Sequence, residues 1–435
     1  MKSFLKTVFG LAVGSLLLVS SPVSAQSRAE IDRLQQETET DLVENLLPFW
    51  MNHTVDPAGG FYGVVMNDGT PITDATSKRT DKGSILNARI LWTFATAYRL
   101  YGLESYRAMA DRAARYFMDH FIDPKYGGVY WTVNAEGAVS DATKQTYASA
   151  FGIYGLSEYF RATGERESLD KAISIYQTLE KNVHDKQREG FREVYNRDYS
   201  QMGGEGVDGD RGATKTMNTH IHVMEALTNL YRVWPNEGLK KNIVELIGIL
   251  GDRLYSPETR HLILFCKDDW TALERVDSYG HDIETAWLLC EAAEVIGEES
   301  LIKKTQQQAV AMTDAALAEG MAPSGVMLYE RDAKGMSTKL SWWPQCETVV
   351  GCINAWQITG DVKYFNAAVK TWEYTKKHFI DTKNGGWFKN LTDAGEPDPR
   401  EPKASMWNCS YHNSRMGFEL KSRLVKPAVH SKPCM

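Results

Sequence analysis

The sequence predicts an all-α protein, an (α/α)6 barrel with short β-hairpins between its helix pairs. Three observations carry this. Strand-and-turn segments recur along the chain: "GGFYGVVMNDG" at 59, "GGVYWTVNAEG" at 127, "GFREVYNRDYS" at 190, "HLILFCKDDW" at 261, "GVMLYERDAKG" at 325 and "GGWFKNLTDAG" at 385. The spacing, roughly 60–70 residues, exceeds a solenoid repeat and leaves room for two ordinary helices between segments. The helices also come in unlike pairs, one apolar nearly all round and one half polar, so one of each pair is buried and its mate faces water. Six such pairs close most economically into a ring, because an open solenoid would need polar caps that the sequence does not offer.

Taken in order, the chain opens on Lys2 and Lys6, the apolar "VFGLAVGSLLLV" and the small residues "VSA", which read as an export signal cleaved after Ala25. The apolar run, about twelve residues, is too short for a bilayer that needs about twenty, and no cysteine follows it to carry a lipid. The mature chain, 26–435, is expected to be one domain outside the cytoplasm, periplasmic in a bacterium or secreted, with no membrane attachment. With 43% hydrophobic and 24% charged residues it has the material for a large core. A net charge of -7 without a basic run argues against a nucleic-acid partner. Six cysteines in 435 residues are too sparse for a disulfide framework and lack zinc-site spacing, so buried thiols are expected.

The first hairpin is followed by "ILNARILWTFATAYRLY", apolar nearly all round, and by "SYRAMADRAARYFMDHF", with Arg and Asp on one side. In "MNTHIHVMEALTNLYRVW", Met217, Ile221, Met224, Leu227, Tyr231 and Trp234 form an apolar stripe, with His220 along it as a core histidine. Asn218, His222, Glu225 and Asn229 share the other side. Amides, an imidazole and one carboxylate are unlike a solvated face, which would be rich in Lys, Arg and Glu, and they point to a buried functional face.

In "HDIETAWLLCEAAEVIG", His281 and Glu284 are one turn apart, so the carboxylate is expected to orient the imidazole or raise its pKa. "LSWWPQCETVV" sets Trp342 and Trp343 before Pro344, a first-turn residue, where indole faces can meet a sugar ring while Glu347 binds hydroxyls. "MWNCSYHNSRM" repeats the pairing of aromatic and imidazole with Trp407 and His412. There is no His-Glu-x-x-His helix, phosphate-cradling loop or Gly-x-Ser-x-Gly elbow, and no metal or cofactor is expected.

Six segments carry a resemblance: "LNARILWTFATAYR", "KQTYASAFGIYGLSEYFRATG", "TMNTHIHVMEALTNLYRVW", "SYGHDIETAWLLCEAAEVIG", "WWPQCETVVGCINAWQITGD" and "YHNSRMGFEL". Together and in order they resemble the cellobiose 2-epimerases of the N-acylglucosamine 2-epimerase superfamily, from about Asp41 to Arg415. The resemblance implies an (α/α)6 barrel and reversible inversion at C2 of the reducing-end glucose of a β-1,4-linked disaccharide, without cofactor or metal. Carried over to matching positions, it implies His281 and His412 as the acid/base pair. His222, Arg89, Glu284 and Glu347 would assist, and Trp342, Trp343, Trp407 and Asn218 would hold sugar. The chain departs from the family pattern in its export signal and in Ser410, where many relatives have Pro; only a local backbone effect is expected there.

Imidazoles suit that chemistry. Once the ring opens, the C2 proton is acidified by the neighbouring carbonyl, and two groups near neutral pKa are wanted on opposite faces. Arg89 cannot be the base but can stabilise an oxyanion. Two alternatives stay open in the sequence: an inverting glycoside hydrolase drawing on Asp282, Glu284 and Glu347, and a non-catalytic sugar-binding module built on the tryptophans. A monomer is expected.

Overall fold

The structure is a computed structural model that describes residues 25–74, 77–202 and 212–424. The expected export signal lies outside the described residues apart from Ala25, where the first helix begins. In chain order, α1 (Ala25–Thr40) and α2 (Leu47–His53) are joined by a π-helical turn over Asp41–Leu46. They are followed by α3 (Ser84–Tyr101), α4 (Glu104–His120), α5 (Thr146–Thr163), α6 (Arg166–Asn182), α7 (Met217–Val233) and α8 (Glu237–Gly248). The chain ends through α9 (Tyr279–Ile296), α10 (Glu299–Gly320), α11 (Trp342–Thr359), α12 (Val362–His378) and α13 (Tyr411–Leu424).

Burial sorts these into two rings. Every residue from Ser84 to Ala97 of α3 is buried, whereas α4 buries one stripe, including Tyr106, Met109, Ala113 and Phe117. The same contrast separates α5 from α6, α7 from α8 and α11 from α12, which is the inner and outer alternation expected from their composition. Glycines let inner helices approach. A Cβ on Gly155 of α5 would lie 2.7 Å from the Ala88 carbonyl oxygen of α3, and one on Gly351 of α11 would meet the Ile283 side chain of α9. Helices α3, α5, α9 and α11 each stop at a left-handed glycine, the conformation that costs glycine least.

Each outer segment ends in a tight hairpin marked by one bridge: Val55 to Phe61, Ile122 to Val129, His184 to Phe191, Tyr255 to Leu262, Met321 to Met327 and Ile380 to Trp387. The residues leading into each inner helix pair with the next hairpin: Lys82–Gly83 with Thr132–Val133, Lys144–Gln145 with Val194–Tyr195, Lys215–Thr216 with Phe265–Cys266, Asp277–Ser278 with Glu330 and Arg331, and Leu340–Ser341 with Asn390–Leu391. The sixth pairing, Ala404 with Val65, joins the last unit to the first and closes the ring. The sixth helix pair comes from the two ends of the chain, with α1 packed on α13.

The α7 stripe is buried at Met217, Ile221, Met224 and Leu227 and only half-buried at Tyr231 and Trp234. His220 is the expected core histidine: its Nδ1 donates to the Thr216 carbonyl at 2.6 Å and its Nε2 accepts from the Phe191 amide at 2.9 Å. Cys266, Cys290, Cys346, Cys352 and Cys409 are buried free thiols. Ser410 is buried, and its hydroxyl lies 2.9 Å from that of Thr93 on α3. Among the described residues no helix is long and apolar enough to cross a membrane.

Candidate functional site

The N-terminal turns of the inner helices converge on one cavity of about 280 Å³, toward the small end of ligand sites. Arg89 reaches it from α3, Tyr147 from α5, Asn218 and His222 from α7, His281 and Glu284 from α9, Trp342 and Trp343 from α11, and His412 from α13. Trp407, on the segment before α13, completes the wall and is 37% exposed, while the other indoles are buried. Nine of the ten site residues expected from sequence therefore line one space. The tenth, Glu347, stands behind it.

Trp343 packs against both imidazoles singled out by sequence. Its ring centroid is 4.7 Å from that of His281 and 5.5 Å from that of His412. His412 Nδ1 donates to Glu347 Oε1 at 2.7 Å, which leaves Nε2 as the free base. His281 Nδ1 meets the Ser278 hydroxyl at 2.8 Å. On α7, His222 Nδ1 donates to Glu225 Oε2 at 2.9 Å, so the polar face read from that helix is a working pair. Asn229, on the same face, turns away and donates to Ser157 and the Tyr154 carbonyl.

Two expectations are corrected. Glu284 does not serve His281, because its carboxylate is held by the Arg415 guanidinium of α13. A guanidinium carries a full positive charge and is a stronger hydrogen-bond donor to the Glu284 carboxyl oxygen than a neutral imidazole one turn away. The pKa of His281 accordingly moves down, not up. Glu347 is not placed to meet sugar hydroxyls; its oxygens take His412, Trp287 Nε1 at 3.0 Å and Arg415 Nη2 at 2.7 Å.

Burial is the main cause of the low imidazole pKa values. It pushes His281 down to about 3, with His222 adding to the effect, and His222 down to about 4 despite Glu225. His412 lies well below its ordinary value for the same reason, reinforced by Arg415 and Arg89. All three are therefore neutral near pH 7. Burial also pushes Glu284 up to about 8, with Glu347 adding repulsion, so this cavity-facing carboxyl keeps its proton. Glu225 stays ionised, held at about 2 by Arg415 and His222 against burial.

Sequence reasoning missed Arg415, which is 1% exposed and binds Glu225, Glu284 and Glu347. It sits one turn after His412 in the quoted "YHNSRM", so helical spacing could have found it. Tyr147, Tyr329, Lys339, Ser341 and Lys389 also line the cavity and went unnoticed; Tyr147 accepts from Arg89 at 2.8 Å. Arg89 itself lies 4.2 Å from the centre of the Phe151 ring and 4.6 Å from that of Tyr411. Glu284, Glu347 and His412 are close enough to hold a divalent ion, but Arg415 already places its charge on both carboxylates, so the donor set does not suit a metal.

The profile of the N-acylglucosamine 2-epimerase (GlcNAc 2-epimerase) family matches residues 60–413. A cellobiose 2-epimerase of Bacteroides fragilis is 41% identical over 391 residues, 89% of this chain and 98% of that protein. One of Ruminococcus albus is 35% identical over 395 residues, 89% of this chain and 98% of that protein. The solved structure of cellobiose 2-epimerase from Bacillus thermoamylovorans superposes with a TM-score of 0.86 at 35% identity, covering 90% of this chain and 100% of that one. With this match over most of its length and a cavity built from the segments that carry it, the chain belongs to the N-acylglucosamine 2-epimerase family.

Proposed function

We propose that this chain is an isomerase that reversibly epimerises C2 of the reducing-end glucose of a β-1,4-linked disaccharide. It takes cellobiose to glucosyl-mannose, or mannobiose to mannosyl-glucose, through the open-chain aldehyde and an enediolate. The observation that carries this reading is the pair of neutral imidazoles, His281 and His412, presented to one cavity from two helices, each ring against Trp343. Family membership and the activity printed for the relatives support the disaccharide.

One imidazole removes the C2 proton and the other returns one to the opposite face. Each keeps its Nδ1 anchored, to Ser278 or to Glu347, and works through Nε2. Glu284, still protonated near pH 7, can donate a hydrogen bond to a sugar oxygen. Arg89 and the positive ends of the converging inner helices stabilise the enediolate charge. Trp342, Trp343, Trp407 and Asn218 hold the sugar, and His222 stays oriented by Glu225. No cofactor or metal enters these steps. The enzyme works as an exported monomer, periplasmic or secreted.

An inverting hydrolase would need two carboxyls about 6.5–9.5 Å apart with water between them. Glu284 and Glu347 instead share one nitrogen of Arg415, which favours the epimerase reading. Incubation with cellobiose in heavy water tests it: the product should be a disaccharide carrying deuterium at C2. Release of monosaccharides, or binding without turnover, would refute it.

A further inference from the structure

Aligned by their backbone pairing, the units repeat two positions. The first is a buried lysine ahead of the inner helix, present in four of the six units, that reaches back to its own hairpin and pairs with an aspartate and a backbone carbonyl. Lys82 binds Asp56 and the Gly59 carbonyl, Lys144 binds Asp123 and Gly127, Lys215 binds Asp185 and Glu189, and Lys403 binds Asp381 and Gly385. The fifth unit drops this cross-link, with Ala322 and Leu340 in the two places, as the matching backbone bonds and strand pairing show.

The second position lies on the following hairpin, two residues beyond its bridge, where a carbonyl accepts from the first amide of the inner helix. Trp131 accepts there from Ser84, Glu193 from Thr146, Leu264 from Met217 and Lys389 from Trp342. Tyr329 holds the corresponding place two residues after Met327. The bond to a helix start brings this residue to the rim of the cavity, and Tyr329 and Lys389 both line it. Glu193 and Leu264 are buried. Trp131 is half-buried and stands outside the cavity lining.

A run of rings joins Trp131 to the cavity. Centre to centre, His222 lies 5.0 Å from Tyr147, Tyr147 lies 6.1 Å from Trp407, and Trp407 lies 6.0 Å from Trp131. His222 and Tyr147 are buried and Trp407 is 37% exposed, so the run leads outward. The two outer indoles are held separately by backbone. Trp407 rides on a tight turn in which the Ser405 amide donates to the Asn408 carbonyl and the Asn408 amide to the Ser405 hydroxyl. Trp131 is fixed by strand bonds to Ser84 and Asp141. Arg415 and its three carboxylates, all buried, close the opposite end of the cavity. A sugar chain with its reducing end at the imidazoles therefore extends past Trp407, and a cavity of about 280 Å³ leaves its further residues outside.

We propose, resting on the epimerase reading above, that Trp131 is the platform of a third sugar subsite outside the cavity, by which β-1,4-linked trisaccharides and longer chains bind more tightly than disaccharides. An indole offers a flat apolar face to the C–H face of a pyranose ring and a single N–H donor to a hydroxyl. Trp407 meets the sugar before it, one ring further in. The third sugar is remote from C2 and touches Trp131 equally in the ground state and in the transition state. Its contribution is uniform binding, which lowers KM and leaves kcat as it is.

The test is calorimetric titration of the full-length protein with cellobiitol and cellotriitol, the borohydride-reduced sugars, which have no carbonyl and cannot react. The parent should bind cellotriitol about tenfold more tightly than cellobiitol, the effect of covering roughly 50 Å² of apolar surface. Trp131→Ala should bring the two affinities together, and Trp131→Phe, which keeps a ring, should retain part of the difference. Equal affinities in the parent would overturn the proposal without recourse to any variant. So would a difference that survives in Trp131→Ala, with folding checked by circular dichroism. Equal weakening of both ligands by Trp131→Ala would overturn it as well, because Trp131 would then serve only to hold Trp407. Failure to epimerise cellobiose would count against the epimerase reading and not against the subsite, which the two affinities decide alone.

Discussion

Behind His412, one guanidinium faces three carboxylates in a setting closed to water. Arg415 can balance only part of that charge, so Glu284 retains its proton while Glu225 does not. His412 therefore meets the substrate with its ring direction set by Glu347 and its free nitrogen unprotonated. His281→Asn and His412→Asn should each lower the epimerisation rate by about 10²–10⁴-fold, with folding checked by circular dichroism. Near-parental turnover by either variant would show that two bases are not needed. His220→Asn should spare turnover and lower stability instead, because neutral His220 both donates and accepts in the core. Burial holds His220 at about 4, below the unfolded value of about 6.5, so its contribution is full above pH 6.5. That contribution falls by up to ~1.4 kcal/mol per pH unit as the pH drops toward 4. Melting curves should therefore show the gap between parent and His220→Asn narrowing from pH 7 to pH 4.5.

At the scale of the repeating unit, the hairpins were legible from their alternation and turn residues, but the lysine cross-links were not. The lysine lies 21 to 30 residues beyond the aspartate it binds, and neither residue type announces burial. What the chain does record is their joint loss in the fifth unit, a pattern visible only once the units are aligned by backbone pairing. In the sixth unit, Lys403 and Asp381 are both buried and 2.5 Å apart. Lys403→Met leaves that carboxylate without its partner and should cost about 3–5 kcal/mol in chemical denaturation. The double variant Asp381→Ala with Lys403→Leu, which copies the fifth unit, should recover most of the loss. If the double variant is as unstable as the single one, the carboxylate is not the cause.

For the whole molecule, closure joins segments that are remote in sequence. Ala404 pairs with Val65, and α13 is covered by α1, with Lys421 bound to Glu39 at 2.5 Å. The first helix contributes nothing to the cavity lining, yet it holds the helix that carries His412 and Arg415. A chain starting at Asp41 should melt at lower temperature and lose most epimerisation, whereas one starting at Gln26 should keep both. Equal activity from the two would mean that α13 is held by its inner-ring neighbours alone.

The sequence by itself determined the six-fold rhythm, the alternation of buried and half-buried helices, and nine residues that the cavity gathers. The rhythm and the alternation are written in local periodicity, and most of the nine stand out as residue types out of place on a buried helix, whereas Arg89 enters only through the resemblance to known epimerases. Only the tertiary structure decided which carboxylate serves which group. Helical spacing says that His281 and Glu284 share a face, but not that the facing helix brings a guanidinium to that face. Inside a closed ring the partner with full charge prevails, because little water is left to screen it. So Glu284 went to Arg415, and Glu347 went behind His412 rather than toward the sugar.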